Sequence, residues 1–147
     1  MTTQREIRNV ADNSARVVTV AAATTLTMQA HSGRIVYVTG DRTITLPPAT
    51  GSGAHFTIVG GSAAQSLTVD ADGTDVFNGL VFVGGDDSTN VAEYFEATTQ
   101  TQIATNGTTT GGEQVGNWFE MYDVASGIWW VRGMISATGT EATPFAA

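Results

Sequence analysis

Apolar and polar residues alternate along most of this chain in short bursts, separated by clusters of Gly, Pro, Asn, Asp and Ser. The clearest example is Thr43-Ile44-Thr45-Leu46, then Pro47-Pro48-Ala49-Thr50-Gly51-Ser52-Gly53, then His55-Phe56-Thr57-Ile58-Val59. Alternation puts Ile44 and Leu46 on one face and Thr43 and Thr45 on the other, the signature of a half-buried strand. Phe56 and Ile58 repeat it. Proline cannot donate to a sheet ladder, so the first strand stops at Pro47, and Gly51 and Gly53 supply the turn geometry for the return. The segment predicts a β-hairpin or a strand-to-strand corner.

The same pattern predicts about ten short strands. Strands are expected over 16–20, 24–30, 34–39 and 66–70, with Val17, Leu26, Ile35 and Tyr37 as the early core. Residues 76–83 read as two strand segments folded at Asn78-Gly79, the dipeptide that favours tight hairpins. Residues 91–98 are ambiguous because Tyr94 and Phe95 are adjacent, and 100–105 form a short strand. The Thr/Gly run over 106–112 reads as a flexible loop. Beyond it, Trp118, Glu120 and Tyr122 alternate with Phe119 and Met121, and 128–136 carries Trp129, Trp130, Val131 and Ile135. Val124-Ala125-Ser126-Gly127 joins these two as a hairpin. Short strands with frequent turns and no long helical pattern indicate an all-β fold, a single compact β-sandwich or barrel-like domain over 16–136. A polar N-terminal arm (1–15) and an extended C-terminal tail (137–147) flank it.

Composition narrows the function classes. The chain has 147 residues, no Cys and no Lys, and only 14% charged residues. That length suits one domain able to bury its own core, and the absence of Cys excludes disulfides and thiolate metal sites. No apolar run approaches a membrane span, and 1–15 lacks the apolar centre of a signal peptide, so a soluble protein is expected. The net charge of -8 is uneven: residues 1–42 hold five Arg against three acids, and 43–147 hold Arg132 alone against eleven. An acidic body repels backbone phosphates and argues against nucleic acid. The basic start suits an acidic protein surface.

Candidate chemistry is sparse. Asp70-x-Asp72-Gly73-x-Asp75 has the carboxylate spacing of a calcium loop, but no bidentate Glu follows, and Asp/Gly turns are ordinary hairpin connectors. His31 and His55 have no partner at ligand spacing, and no nucleophile-elbow motif is present. Gly51-Ser52-Gly53 opens no helix, so it cannot cradle a phosphate. No cofactor is expected.

Three segments resemble tailed-bacteriophage virion proteins. Residues 43–53 with Phe56-Thr57-Ile58 resemble a strand–corner–strand unit of phage fibre, spike and head-decoration proteins. Residues 117–123 with 127–133 resemble the closing hairpin of small phage head proteins, and 137–145 resemble the ending of such chains. Together they cover about half of the chain. The resemblance implies a non-enzymatic capsid decoration (cement) protein, a homotrimer seated on the outer surface of the virion head where capsomers meet, with the major capsid protein as partner. Arg5, Arg8 and Arg16 would then grip the shell, and Trp118, Trp129 and Trp130 would form the late core or the trimer seam. A short fibre or tail module binding a host glycan is the alternative, marked by Trp129 or Trp130 near Asp86-Asp87. A polysaccharide hydrolase or lyase is a third reading, and no paired carboxylates stand out for it.

Overall fold

The structure is a computed structural model that describes residues 16–86 and 92–147. The strands are β1 (Val17–Val20), β2 (Thr24–Thr25), β3 (Ile35–Val38), β4 (Arg42–Thr45), β5 (His55–Gly60), β6 (Leu67–Asp70), β7 (Val76–Gly85), β8 (Glu93–Gln100), β9 (Gln102–Ala104), β10 (Trp118–Ala125), β11 (Ile128–Ala137) and β12 (Phe145–Ala146). A single helical turn, α1 (Met28–His31), is capped by Thr27, whose hydroxyl accepts from Ala30 N. Two sheets pack face to face as a sandwich. The larger has the order β1-β3-β5-β10-β11-β7-β8 and the smaller β12-β9-β6-β4-β2.

The first six strands alternate between the sheets. β1, β3 and β5 stack in parallel in the large sheet, and β2, β4 and β6 stack in parallel in the small one. Residues 17–70 therefore wind as a coil, each turn giving one strand to each layer. The segment over 43–59 is accordingly a corner between sheets and not a hairpin. After the coil, β7 runs parallel to β11 near the far edge, and the β10–β11 hairpin fills the gap beside β5. The C-terminal segment, expected to trail as a tail, supplies β12, which pairs with β9 and buries Phe145.

Alternation builds the core from both layers. In the small sheet Ile44, Val69, Ile103 and Phe145 lie in register across four strands. In the large sheet Val36, Ile58 and Phe119 do the same, and Trp129, fully buried, sits beside Phe77 with its ring 5.6 Å from that of Phe56. An aromatic of this size removes about 200 Å² from water, roughly 5 kcal/mol of transfer free energy. Leu26 is buried as expected, but Val17, Ile35 and Tyr37 point outward, and Val20, Val36 and Val38 fill the interior instead. Both phases of β1 and β3 are branched or aromatic, so hydropathy alone cannot choose the inward one.

Asn78-Gly79 is not a turn. β7 runs straight through it, with a bulge against β8 between Phe77 and Gly79. Gly79 has φ 147°, and a Cβ there would lie 1.9 Å from the Val131 carbonyl oxygen on β11. The glycine is needed for close strand approach.

Candidate interaction surface

The inward face of the large sheet is core, yet its outward face is also apolar. On β10 the phase that buries Phe119, Met121 and Asp123 sends Trp118, Glu120 and Tyr122 outward. Register then aligns these with their neighbours in rows. One row reads Tyr37, Val59, Trp118, Met134, Phe82, Tyr94 across six strands. At about 4.8 Å per strand it runs roughly 24 Å. Met134 is 52% and Tyr94 71% exposed, and the Tyr94 ring meets that of Phe82 edge-on at 5.2 Å. Along the middle of the row a groove of about 340 Å³ opens between Trp118, Met134 and Phe82 on the sheet and Val115 on the loop before β10.

A second row carries His55, Tyr122 and Trp130. The His55 and Tyr122 rings stack at 4.2 Å, and Trp130 lies 5.5 Å beyond. Between the rows, Glu120 Oε2 accepts from Arg132 Nε at 2.5 Å, and Glu120 Oε1 is 3.8 Å from His55 Nε2. The Glu120 hydrogen bond and charge hold the Arg132 guanidinium above its ordinary pKa, while the guanidinium lies 5.6 Å from the centre of the Trp130 ring. The face thus presents an apolar, aromatic surface around the Glu120–Arg132 ion pair, with the exposed Glu96 carboxylate on the same face at the β8 edge, in line with Leu80 and Arg132.

The tryptophans named from sequence divide between two roles. Trp118 and Trp130 lie on the outer face, whereas Trp129 is wholly interior and belongs neither to a seam nor to an exposed glycan platform. Arg5 and Arg8 lie outside the described residues, as does Asp87. Arg16 sits at the entry to β1, where its carbonyl accepts from Ile35 N at 2.8 Å. Compared with known protein families, curated proteins and solved structures, the chain matches none.

The acidic turn does not gather as a calcium loop. Asp70 Oδ1 accepts from Gln102 at 2.7 Å, Asp75 Oδ2 accepts from Ala49 N at 2.6 Å, and Asp72 contributes its carbonyl to the turn by accepting from Asp75 N. Among the described residues no three His, Cys, Asp or Glu side chains come close enough together to hold a metal ion. His31 is engaged locally, its Nδ1 accepting from Thr27 N.

One organising residue has no signal in the sequence pattern. Asp123 occupies an inward position on β10 and is only 2% exposed. Its carboxylate accepts from the backbone N–H groups of Thr50, Gly51 and Ser52 and from the Ser52 hydroxyl, at 2.6–3.0 Å. Gly51, with φ 77°, lets the corner turn its amides inward. Burial pushes the Asp123 carboxyl upward, but the bonds from Ser52, Thr50 and Gly51 outweigh it and bring its pKa down to about 2. The corner of residues 47–53 is therefore tied to the hairpin that carries the outer face.

Proposed function

We propose that this chain is a structural protein of a phage head, a capsid decoration protein that seats on neighbouring protein surfaces through the outer face of its seven-stranded sheet. The observation that carries this reading is the apolar row from Tyr37 to Tyr94, left uncovered on a face whose central charges are already paired. The resemblance of the closing hairpin to small phage head proteins supplies the shell as partner and homotrimers as the assembly. Several weak docking sites on one oligomer then act together at high effective concentration. In this reading the basic start of the chain, with Arg5, Arg8 and Arg16, adds contacts to an acidic shell, and the chain performs no reaction.

The test uses undecorated capsids and the double substitution Tyr94→Ser with Met134→Glu. Both side chains are more than half exposed, so the fold is retained. Shell occupancy is expected to fall at least about tenfold, as for loss of a central apolar contact, and light scattering should show a smaller oligomer. Wild-type occupancy by the double variant would refute the face as the docking surface. Deleting residues 1–15 should weaken capsid binding while leaving self-association intact.

A further inference from the structure

On the opposite side of the sandwich, a concavity of about 550 Å³ lies between the loop of residues 21–23 and the start of strands β4 and β6. Three alanine methyl groups, Ala21 to Ala23, form its apolar part. Its polar part comes from Asp41, Arg42, Thr43, Ser66 and Thr68. Thr43 and Thr68 are register neighbours on adjacent parallel strands, which sets their hydroxyls side by side.

Arg42 is the unusual member. Its Nε donates to the Ala21 carbonyl at 2.6 Å and its Nη1 to the Asp41 carbonyl at 2.7 Å. Two neutral carbonyls thus fix the guanidinium without discharging it. Among the described residues Arg42 forms no ion pair, because the ion pairs there involve Glu120 with Arg132 and His55. The neighbouring Asp41 carboxylate is turned to the backbone, Oδ1 accepting from Ser66 N at 2.9 Å. A held guanidinium that makes no ion pair, in a concavity it shares with the Asp41 carboxylate, offers a fixed donor to an anionic group on a ligand. The remaining lining, hydroxyls beside methyl groups, matches a ligand with its own hydroxyls and an apolar ring face.

We infer that this concavity binds a carboxylated saccharide of the uronic-acid type, its carboxylate on Arg42 and its hydroxyls on Thr43, Ser66 and Thr68. The site lies on the other sheet from the proposed docking face, so the inference stands independently of the decoration reading. A decoration protein seated by its large sheet would present this concavity away from the shell.

The test uses the purified full chain without capsids, so that its outcome is separate from shell binding. Amide chemical shifts would be followed during titration with galacturonic acid oligomers, the matching neutral sugar, acetate and a glutamate-rich peptide. A single fixed Arg–carboxylate contact with a few hydroxyl bonds gives a dissociation constant of about 1 mM. The oligouronate should shift the Thr43, Ser66 and Thr68 amides and bind about tenfold more tightly than acetate or the neutral sugar. Arg42→Gln should lose that margin, and Arg42→Lys should recover part of it. Thr68→Val leaves Arg42 in place and should weaken the saccharide without changing acetate. Equal binding of acetate, tighter binding of the acidic peptide, unchanged affinity in Arg42→Gln, or no shifts at those amides would each overturn the assignment.

Discussion

Replacing Asp123 by Asn tests how the corner is held. The substitution keeps the shape but removes the charge and turns an NH₂ group toward donors that now face the carboxylate: the amides of Thr50, Gly51 and Ser52 and the Ser52 hydroxyl. Because the folded-state pKa lies at about 2, below the ordinary 3.8, the ionised group stabilises the fold. That shift corresponds to about 2 kcal/mol, fully present above pH ~4 and lost as the pH falls toward ~2. Loss of the bonds themselves puts the cost of Asp123→Asn at neutral pH at about 2–4 kcal/mol, since each buried donor left without its partner is penalised. Urea unfolding followed by Trp fluorescence suits the measurement, because Trp129 is completely buried. Stability of both proteins would be measured from pH 7 down to pH 2. The two proteins differ at this one side chain, so the difference between the curves isolates Asp123. The difference should be largest at neutral pH and shrink by about 2 kcal/mol on acidification below pH 4. A pH-independent difference would show that the charge contributes nothing, and a negligible difference at pH 7 would remove the clamp altogether.

Two further substitutions probe the sandwich. Gly79→Ala should destabilise by more than about 3 kcal/mol, read from the shift in urea midpoint, because its Cβ would collide with the Val131 carbonyl on a neighbouring backbone. Trp129→Ala should cost about 3–5 kcal/mol in the same assay, while Trp130→Ala should cost less than about 1 kcal/mol and act on self-association measured by light scattering. The contrast tests the division of the adjacent tryptophans between core and surface.

Much of the fold follows from alternation. It defines the β10–β11 hairpin, the inward faces of Ile44, Leu46, Phe56 and Ile58, and the all-β class. Where it fails, a competing effect is identifiable. Val17-Val18-Thr19-Val20 and Ile35-Val36-Tyr37-Val38 are suited to either phase, so the choice falls to the sandwich partner across the core. Asn78-Gly79 looks like a turn because a positive-φ glycine serves a hairpin and a bulge equally well. The coil leaves no repeat of fixed period in the sequence because its turns are unequal: β1, β3 and β5 begin at Val17, Ile35 and His55, and β2, β4 and β6 at Thr24, Arg42 and Leu67. The Asp123 clamp joins residues more than seventy positions apart, and no local pattern encodes such a pairing.

The outer face shows the same ambiguity in a form that bears on function. A strand with one face in solvent needs apolar residues in one phase only, yet β10 and β11 place Trp118, Tyr122, Trp130 and Met134 in the other. Those residues gain nothing from the core, and their exposure carries a cost in solubility. Their placement is explained if the face is covered in the working state. Charge placement leads to the same conclusion. Arg132 is the one cation after residue 42, and it stands on this face bonded to Glu120, where an unpaired carboxylate would penalise any approaching protein surface. In an acidic chain, the centre of this face has its charges paired, with Glu96 left at the β8 edge, and that centre is where a second surface can settle.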